Sequence, residues 1–185
     1  MKKLFWLVAV VAVLGSMMNG CKKNDPKDPQ KPKEETFVPE NDFDIFFNGT
    51  EAKMFRKGVE MQNGDTIVAE KFDEFANTVE FTGYVNISSL LESPLNVKIN
   101  EHRTFDLTNY SSEMCVDMCM SSNEEINQTW NIGNLEPEAQ QKFTGHVCIG
   151  DSVLSVPANI VSEYEVTDGK CSAKFVVKYV YTPQE

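Results

Sequence analysis

The residues of this sequence best suited to chemistry are its five cysteines and one methionine-rich segment. Residues Met114–Met120 read Met-Cys-Val-Asp-Met-Cys-Met, so thioether and thiol groups are concentrated in one short stretch. Such soft sulfur ligands suit Cu(I) when the thiols are reduced, and His102 or His146 could complete a metal site. The alternative is that the cysteines form disulfides and the methionines pack as apolar side chains. We favour the alternative and therefore predict no metal site and no cofactor.

Four cysteines in the second half of the chain allow three disulfide connectivities: Cys115, Cys119, Cys148 and Cys171. If Met114–Met120 were extended, the Cα atoms of Cys115 and Cys119 would lie about 13 Å apart. A disulfide requires Cα atoms within about 7 Å of each other. A bridge between these two cysteines therefore requires a turn, and the crossed pairing with the two distal cysteines stays open.

Catalytic motifs are missing from the sequence. There is no Gly-x-Ser-x-Gly, no His-Glu-x-x-His, no phosphate-binding glycine loop and no EF-hand spacing. Pairs of acids could serve as glycosidase carboxylates or calcium ligands: Asp42/Asp44, Asp73/Glu74 and Glu124/Glu125. Because the chain has 28 acidic residues, such pairs arise by chance. We predict a protein that is not an enzyme and has no catalytic residue; a hydrolase with an unrecognised carboxylate site is one alternative.

The composition limits the size of the fold and the class of partner. The chain has 185 residues, 41% of them hydrophobic, which suits one globular domain. Lys and Arg number 17 against 28 Asp and Glu, giving a formal charge of −11. Such a surface repels phosphate groups, so we expect no nucleic-acid partner and no attachment to anionic lipid through charge.

Residues 1–20 have the pattern of an export signal. Two lysines precede an apolar stretch, Leu4–Met18, which is shorter than the roughly 20 residues of a transmembrane helix. The following Met18-Asn19-Gly20-Cys21 resembles a bacterial lipoprotein signal. The resemblance implies cleavage before Cys21, lipidation of its thiol and firm anchoring by acyl chains. Lys22 stands where an aspartate would signal retention in the inner membrane, so we expect the outer membrane, on its periplasmic face or the cell surface.

Residues 21–41 differ sharply in composition from the rest of the chain. After the lipidated Cys21 they are rich in proline, lysine and acids and contain almost no apolar residues. Such a segment cannot bury enough apolar surface to offset its conformational entropy. We predict a disordered tether between the membrane and a domain spanning 42–185.

Residues 42–185 alternate between apolar and polar side chains with the period of a β-strand. The predicted strands lie near 42–47, 52–56, 65–69, 79–87, 95–99, 130–135, 143–149, 160–166 and 172–181. The turn at Asp168-Gly169-Lys170 predicts a hairpin between the last two. The segment 70–77 could instead form one short helix. The pattern indicates an all-β domain, most simply an antiparallel sandwich.

The second half of the chain resembles an immunoglobulin-like β-sandwich domain found in secreted and lipid-anchored Bacteroidetes proteins. The resemblance rests on Cys115-x3-Cys119, Trp130–Leu135, Phe143–Val147 and the aromatic strand Phe175–Tyr181. The resemblance implies an antiparallel immunoglobulin-like β-sandwich in an extracytoplasmic setting. In this family a close cysteine pair closes a small loop, which implies disulfides Cys115–Cys119 and Cys148–Cys171. It implies no particular activity.

Two triplets resemble the Asp-Ser/Thr-apolar motif of Bacteroidetes protein O-glycosylation. They place candidate acceptors at Thr66 and Ser152, both beside predicted turns.

The sequence thus predicts a lipid-anchored outer-membrane protein that displays a β-sandwich interaction module. We expect a protein or glycan partner, bound through loops or sheet edges. Tyr84 and Tyr110 could form a sugar-stacking platform. The alternatives are a periplasmic hydrolase and a soft-metal-binding protein that uses residues 114–120.

Overall fold

A computed structural model describes residues 37–122 and 126–183. The predicted signal peptide, Cys21, most of the tether and the acid pair Glu124/Glu125 lie outside these ranges. Within the described residues, no helix is long and apolar enough to cross a membrane.

The described residues form thirteen strands and a single 3-10 turn at Asp151–Val153. The strands are β1 Phe43–Phe47, β2 Ala52–Arg56, β3 Val59–Met61, β4 Asp65–Ala69, β5 Lys71–Asp73, β6 Thr78–Ile87, β7 Leu95–Arg103, β8 Tyr110–Cys115, β9 Cys119–Ser122, β10 Asn127–Leu135, β11 Gln140–Ile149, β12 Ala158–Thr167 and β13 Ser172–Tyr181.

The strands form two sheets that pack face to face. Sheet one has the order β3-β2-β1-β6-β11-β8-β9, and β5 also pairs with β6. Sheet two has the order β10-β7-β12-β13-β4. Tyr164 of β12 lies opposite Phe175 of β13 in the hairpin register. The all-β sandwich and its last hairpin are therefore confirmed.

The sheets are mixed rather than purely antiparallel, which corrects the prediction. β1 runs parallel to β6, and β4 runs parallel to β13. Only a short hairpin turn forces neighbouring strands to reverse direction. These two pairs join strands distant in sequence, so no such turn fixes their relative direction.

The core lies between the sheets and contains a cluster of phenylalanine rings. The ring centroids of Phe43 and Phe175 lie 4.9 Å apart, and those of Phe81 and Phe175 lie 5.8 Å apart. Gly83 in β6 leaves room for this cluster. A Cβ atom there would stand 2.5 Å from Phe143 Cζ and 2.9 Å from Phe43 Cδ1. The glycine is therefore required by the close approach of these rings.

The folded domain includes residues that the sequence assigned to the tether. The ring of Phe37 stacks on Phe46 at 4.4 Å between centroids and also contacts Phe55. The backbone N–H of Asn41 donates to Asp44 Oδ2 at 2.8 Å. Residues 37–41 therefore contact the folded domain, because the aromatic side chain of Phe37 packs on an apolar surface of sheet one.

The segment 70–77 is a strand and a turn rather than a helix. β5 ends at Asp73, whose Oδ1 accepts a hydrogen bond from the backbone N–H of Phe75 at 2.8 Å. Asn77 has a φ of 53°, a left-handed conformation that ends the turn. A side chain that bonds to the backbone two residues ahead favours a turn over a helix.

Candidate functional site

A hollow of about 660 Å³ with a mixed polar and apolar lining lies on the outer face of sheet two. The strands β10, β7, β12 and β13 supply its floor, because every second residue of each strand points away from the core. Its polar lining includes Asn100, His102, Asn127, Thr129, Glu165 and Lys174.

Hydrogen bonds hold this lining in place across the four strands. Thr129 Oγ1 donates to Asn100 Oδ1 at 3.0 Å, and Asn100 Nδ2 donates to Glu165 Oε2 at 3.2 Å. Lys174 Nζ lies 3.2 Å from Glu165 Oε1. Beside this row of hydrogen-bonded side chains, His102 Nδ1 lies 2.7 Å from Asn127 Oδ1. Side chains that are already ordered lose less entropy when they bind a ligand.

The carboxylate of Glu165 is one of the acidic groups that line the hollow, together with Glu163. Burial raises its pKa, but hydrogen bonds from Asn100, Lys174 and Ser172 outweigh burial, so the net pKa lies below the ordinary value. Glu165 is therefore ionised near neutral pH and acts as a hydrogen-bond acceptor. Together the hollow presents carboxylate, amide, hydroxyl and ammonium groups to a polar ligand.

The tyrosines expected to stack on sugar do not contribute to this hollow. Tyr84 is half-buried in β6 of sheet one. Tyr110 is half-buried at the start of β8, edge-on to Phe105 with centroids 6.3 Å apart. Sequence reasoning missed the polar residues instead, although Asn100, Thr129 and Glu165 all occupy the polar parity of predicted or neighbouring strands.

The Cys115–Cys119 disulfide is present. Cys115 ends β8 and Cys119 begins β9, and the two residues face each other with Cα atoms 3.9 Å apart. The backbone N–H of Val116 donates to the carbonyl of Met118 at 3.2 Å, so the segment makes the turn that the bridge requires.

The predicted Cys148–Cys171 disulfide is absent, and both residues are free thiols. Cys148 lies on the outward parity of β11 in sheet one, whereas Cys171 precedes β13 in sheet two. Cys171 packs against the core, whereas Cys148 points away from it. Burial raises the pKa of Cys148, with the nearby charge of Glu113 adding to the rise. Burial and the Asp168 carboxylate raise that of Cys171 to about 11.

The three methionines of residues 114–120 line one hollow beside Trp130, and the two cysteines are joined in the disulfide. Met114 and Met120 are paired across the β8–β9 hairpin, and so are Cys115 and Cys119. Since neighbouring residues of a strand point to opposite faces, the thioethers of this pair and the disulfide lie on opposite sides. The thioethers and the cysteine sulfurs therefore do not form one ligand set, and the soft-metal alternative would require the disulfide to be reduced.

A second cluster adjoins the disulfide. Donor atoms of Glu113, Cys115 and His146 lie within 4.8 Å of one another. Oxidation of Cys115 occupies its sulfur in the bridge with Cys119. These three residues could therefore hold a metal ion only when the Cys115–Cys119 disulfide is reduced.

A buried polar network lies in the core between the sheets. Glu101 Oε1 accepts hydrogen bonds from Ser112 Oγ and Ser162 Oγ, each at 2.8 Å, and from Tyr164 OH at 3.1 Å. Trp130 Nε1 donates to Glu101 Oε2 at 3.2 Å. Glu101 is only 3% exposed. Its carboxylate thus accepts hydrogen bonds from donors of the protein itself, so Glu101 has a structural role in the core.

The remaining candidates lie apart from both clusters. Thr66 is exposed in the edge strand β4, and Ser152 is exposed in the 3-10 turn, where its Oγ donates to Asn109 Oδ1 at 3.1 Å. Glycosylation of both stays a prediction. Asp44 is buried and accepts a 2.9 Å hydrogen bond from Asn86 Nδ2, so the pair Asp42/Asp44 is not a solvent-facing site.

Comparison with solved structures finds distant likenesses. No protein-family model matches the chain, and no curated protein matches it. The N-terminal domain of PorA is 12% identical with a TM-score of 0.39, over 69% of this chain and 95% of that one.

Two surface proteins give similar values. The ACE19 collagen-binding subdomain of the Enterococcus faecalis surface protein ACE is 10% identical with a TM-score of 0.35, over 62% and 94% of the two chains. The CupB6 tip adhesin of Pseudomonas aeruginosa is 12% identical with a TM-score of 0.36, over 68% and 42%. At these TM-scores the likenesses carry no argument about function.

Proposed function

We propose that this chain is a lipid-anchored outer-membrane protein whose β-sandwich binds a glycan in the hollow of sheet two. The observation that carries the binding role is the row of hydrogen-bonded side chains Thr129, Asn100, Glu165 and Lys174. Amide, carboxylate and ammonium groups held in fixed positions match the alternating donors and acceptors of sugar hydroxyls.

Display at the outer membrane rests on the N-terminal sequence. The apolar stretch Leu4–Met18 followed by Cys21 supports export and lipidation, and the proline-rich residues after it support a spacer. A spacer of this composition would hold the domain away from the bilayer, leaving the face of sheet two accessible.

A binding role is proposed in preference to hydrolysis. A glycosidase needs one carboxyl group whose raised pKa keeps it protonated as the general acid. The pKa of Glu165, the carboxylate that the hydrogen-bonded row holds in the hollow, is shifted downward. This carboxylate therefore suits ligand binding better than proton donation.

The test is a glycan array followed by titration calorimetry on the sugar with the strongest signal. The variants Asn100→Ala and Glu165→Gln should each weaken binding about tenfold or more, since each leaves ligand hydroxyls without partners. Glu60→Gln, which neutralises an exposed carboxylate in β3 of sheet one, is the matched control and should bind as the wild type does.

Two results would contradict the proposal. One is a glycan signal that Asn100→Ala and Glu165→Gln leave unchanged. The other is an array without signal, together with recovery of a protein partner from membrane extracts by wild type and both variants alike. The second result would assign the interaction to a protein and to another surface.

A further inference from the structure

The Cys115–Cys119 disulfide lies at the edge of sheet one, on its outer face, beside His146 and Glu113. We infer that this disulfide is exchange-active: an external thiolate attacks Cys119 Sγ, and Cys115 leaves as the thiolate that His146 protonates. This activity uses no residue of the hollow and is independent of glycan binding.

The two sulfur atoms differ in accessibility. Cys119 is exposed at the start of the edge strand β9, whereas Cys115 is half-buried next to β11. Attack on a disulfide requires the thiolate to approach along the S–S axis at an accessible sulfur. Exposure therefore directs the incoming thiolate to Cys119 and makes Cys115 the leaving group.

The register of three strands places His146 beside that leaving group. His146 of β11 is paired with Glu113 of β8 on one side and with Glu80 of β6 on the other. Its Nδ1 lies 3.0 Å from Glu113 Oε1, and its Nε2 lies 3.4 Å from Glu80 Oε1. The carboxylates of Glu113 and Glu80 therefore flank the ring on both sides.

The imidazole ring is close enough to act on the sulfur. Cys115 Sγ lies 3.8 Å from His146 Nδ1, and Glu113 Oε1 lies 3.8 Å from the same sulfur. In its protonated form the ring offsets the carboxylate's charge and supplies the proton that the departing Cys115 thiolate takes up, and a stabilised thiolate departs faster in exchange. Ser121 Oγ donates to Glu113 Oε2 at 2.8 Å and orients the carboxylate that holds the ring, so Glu113 is a positioning residue.

The exchange reaction moves electrons and one proton between the external thiolate, the disulfide and His146. The thiolate forms a new S–S bond with Cys119, the Cys115–Cys119 bond breaks, and its electron pair passes to Cys115 Sγ. His146 Nδ1 gives up its proton to that sulfur and becomes neutral imidazole. A second external thiol then attacks the mixed disulfide, so two thiols are oxidised to one disulfide while Cys115 and Cys119 are reduced.

A merely structural disulfide would behave differently. It would resist thiols in the folded protein. The first experiment therefore identifies the attacked atom in a Cys148→Ser/Cys171→Ser background, in which the two distal thiols cannot interfere. Folded protein is treated briefly with glutathione, quenched with N-ethylmaleimide and mapped by peptide mass spectrometry.

We expect glutathione on Cys119 and N-ethylmaleimide on Cys115. Glutathione on Cys115, an even distribution, or no adduct at all would overturn the inference. This measurement requires no change at His146 and so does not depend on how a variant folds.

The second experiment measures the role of His146 in the same background. His146→Gln should slow reduction of the disulfide at pH 7 about tenfold, because the leaving thiolate loses its cation and proton donor. Lys142→Gln removes a cation from an exposed residue of the same strand, away from the disulfide, and should react at the parent rate. Equal rates for His146→Gln and Lys142→Gln would overturn the inference.

Parallel reactions separate two sources of the thiol. One uses glutathione and the other uses a reduced protein dithiol of the thioredoxin type. Faster reaction with glutathione assigns the site to small thiols, and faster reaction with the protein dithiol assigns it to a protein partner. No reaction with either would overturn the inference.

Discussion

Ser112 Oγ donates a 2.8 Å hydrogen bond to Glu101 Oε1, and this bond joins the two sheets across the core. Ser112 lies in β8 of sheet one and Glu101 in β7 of sheet two, and both are almost fully buried. A buried carboxylate is costly unless donors surround it, and Glu101 has four of them. The polar network therefore fixes how the sheets face each other.

Removal of this carboxylate should destabilise the domain strongly. Glu101→Ala leaves the hydroxyls and the indole N–H that it binds without their acceptor, so we expect a loss of about 3 kcal/mol or more in the free energy of unfolding. The measurement is equilibrium unfolding in urea. Glu60→Ala, at an exposed carboxylate, should change the free energy by less than about 0.5 kcal/mol. Similar losses for both variants would show that the network is not the reason.

The oxidation state of the four cysteines in the domain can be measured directly. Folded protein treated with iodoacetamide at pH 8 should keep Cys171 unmodified for long periods, because its pKa of about 11 leaves little thiolate. Burial protects Cys148 in the same way. After unfolding without reductant, both should be alkylated, while Cys115 and Cys119 remain joined. A Cys148–Cys171 peptide in the mass spectrum would contradict the structure.

The Glu113–His146 pair should make stability depend on acidity. The hydrogen bond from His146 is the main reason that the pKa of Glu113 lies below its ordinary value, and burial opposes it. Because a glutamate in the unfolded chain has a pKa of about 4.3, the stabilisation is complete above that pH. It is lost as the pH falls through the lower pKa of the folded state.

Wild type should therefore exceed Glu113→Gln by about 1 kcal/mol in unfolding free energy at pH 7. The difference should shrink as the pH falls below about 4. Urea unfolding at several pH values measures it, and Glu60→Gln is the control that should show no such trend. A difference that grows toward low pH would contradict the assigned direction.

Membrane attachment is predicted to depend on one thiol. Cys21→Ser removes the atom that would carry the lipid, so the protein should move from the membrane fraction to the soluble fraction of its host. Fractionation with detection by immunoblot measures this. Cys171→Ser, at a cysteine inside the domain, should stay with the membrane. A Cys21→Ser protein that remains bound to the membrane would disprove lipid anchoring.

Alternation of apolar and polar residues was sufficient to predict much of the fold. It gave the all-β class, the β12–β13 hairpin and the bounds of β2 and β4, because the face of a residue in a strand depends only on its parity. It failed at residues 70–77 and at Phe37, where a side chain–backbone hydrogen bond and a distant apolar surface decided the local structure.

The sites were decided by which strands become neighbours. Parity alone could place Glu165 on a polar face, but the hollow exists because β7 and β12 bring Asn100 beside Glu165, 65 residues apart in sequence. His146 stands between Glu80 and Glu113 for the same reason. Cys148 and Cys171 stay apart because Cys148 points away from the core and Cys171 packs against it. Contacts between distant segments depend on the summed packing of the whole core, which no local pattern of residues encodes.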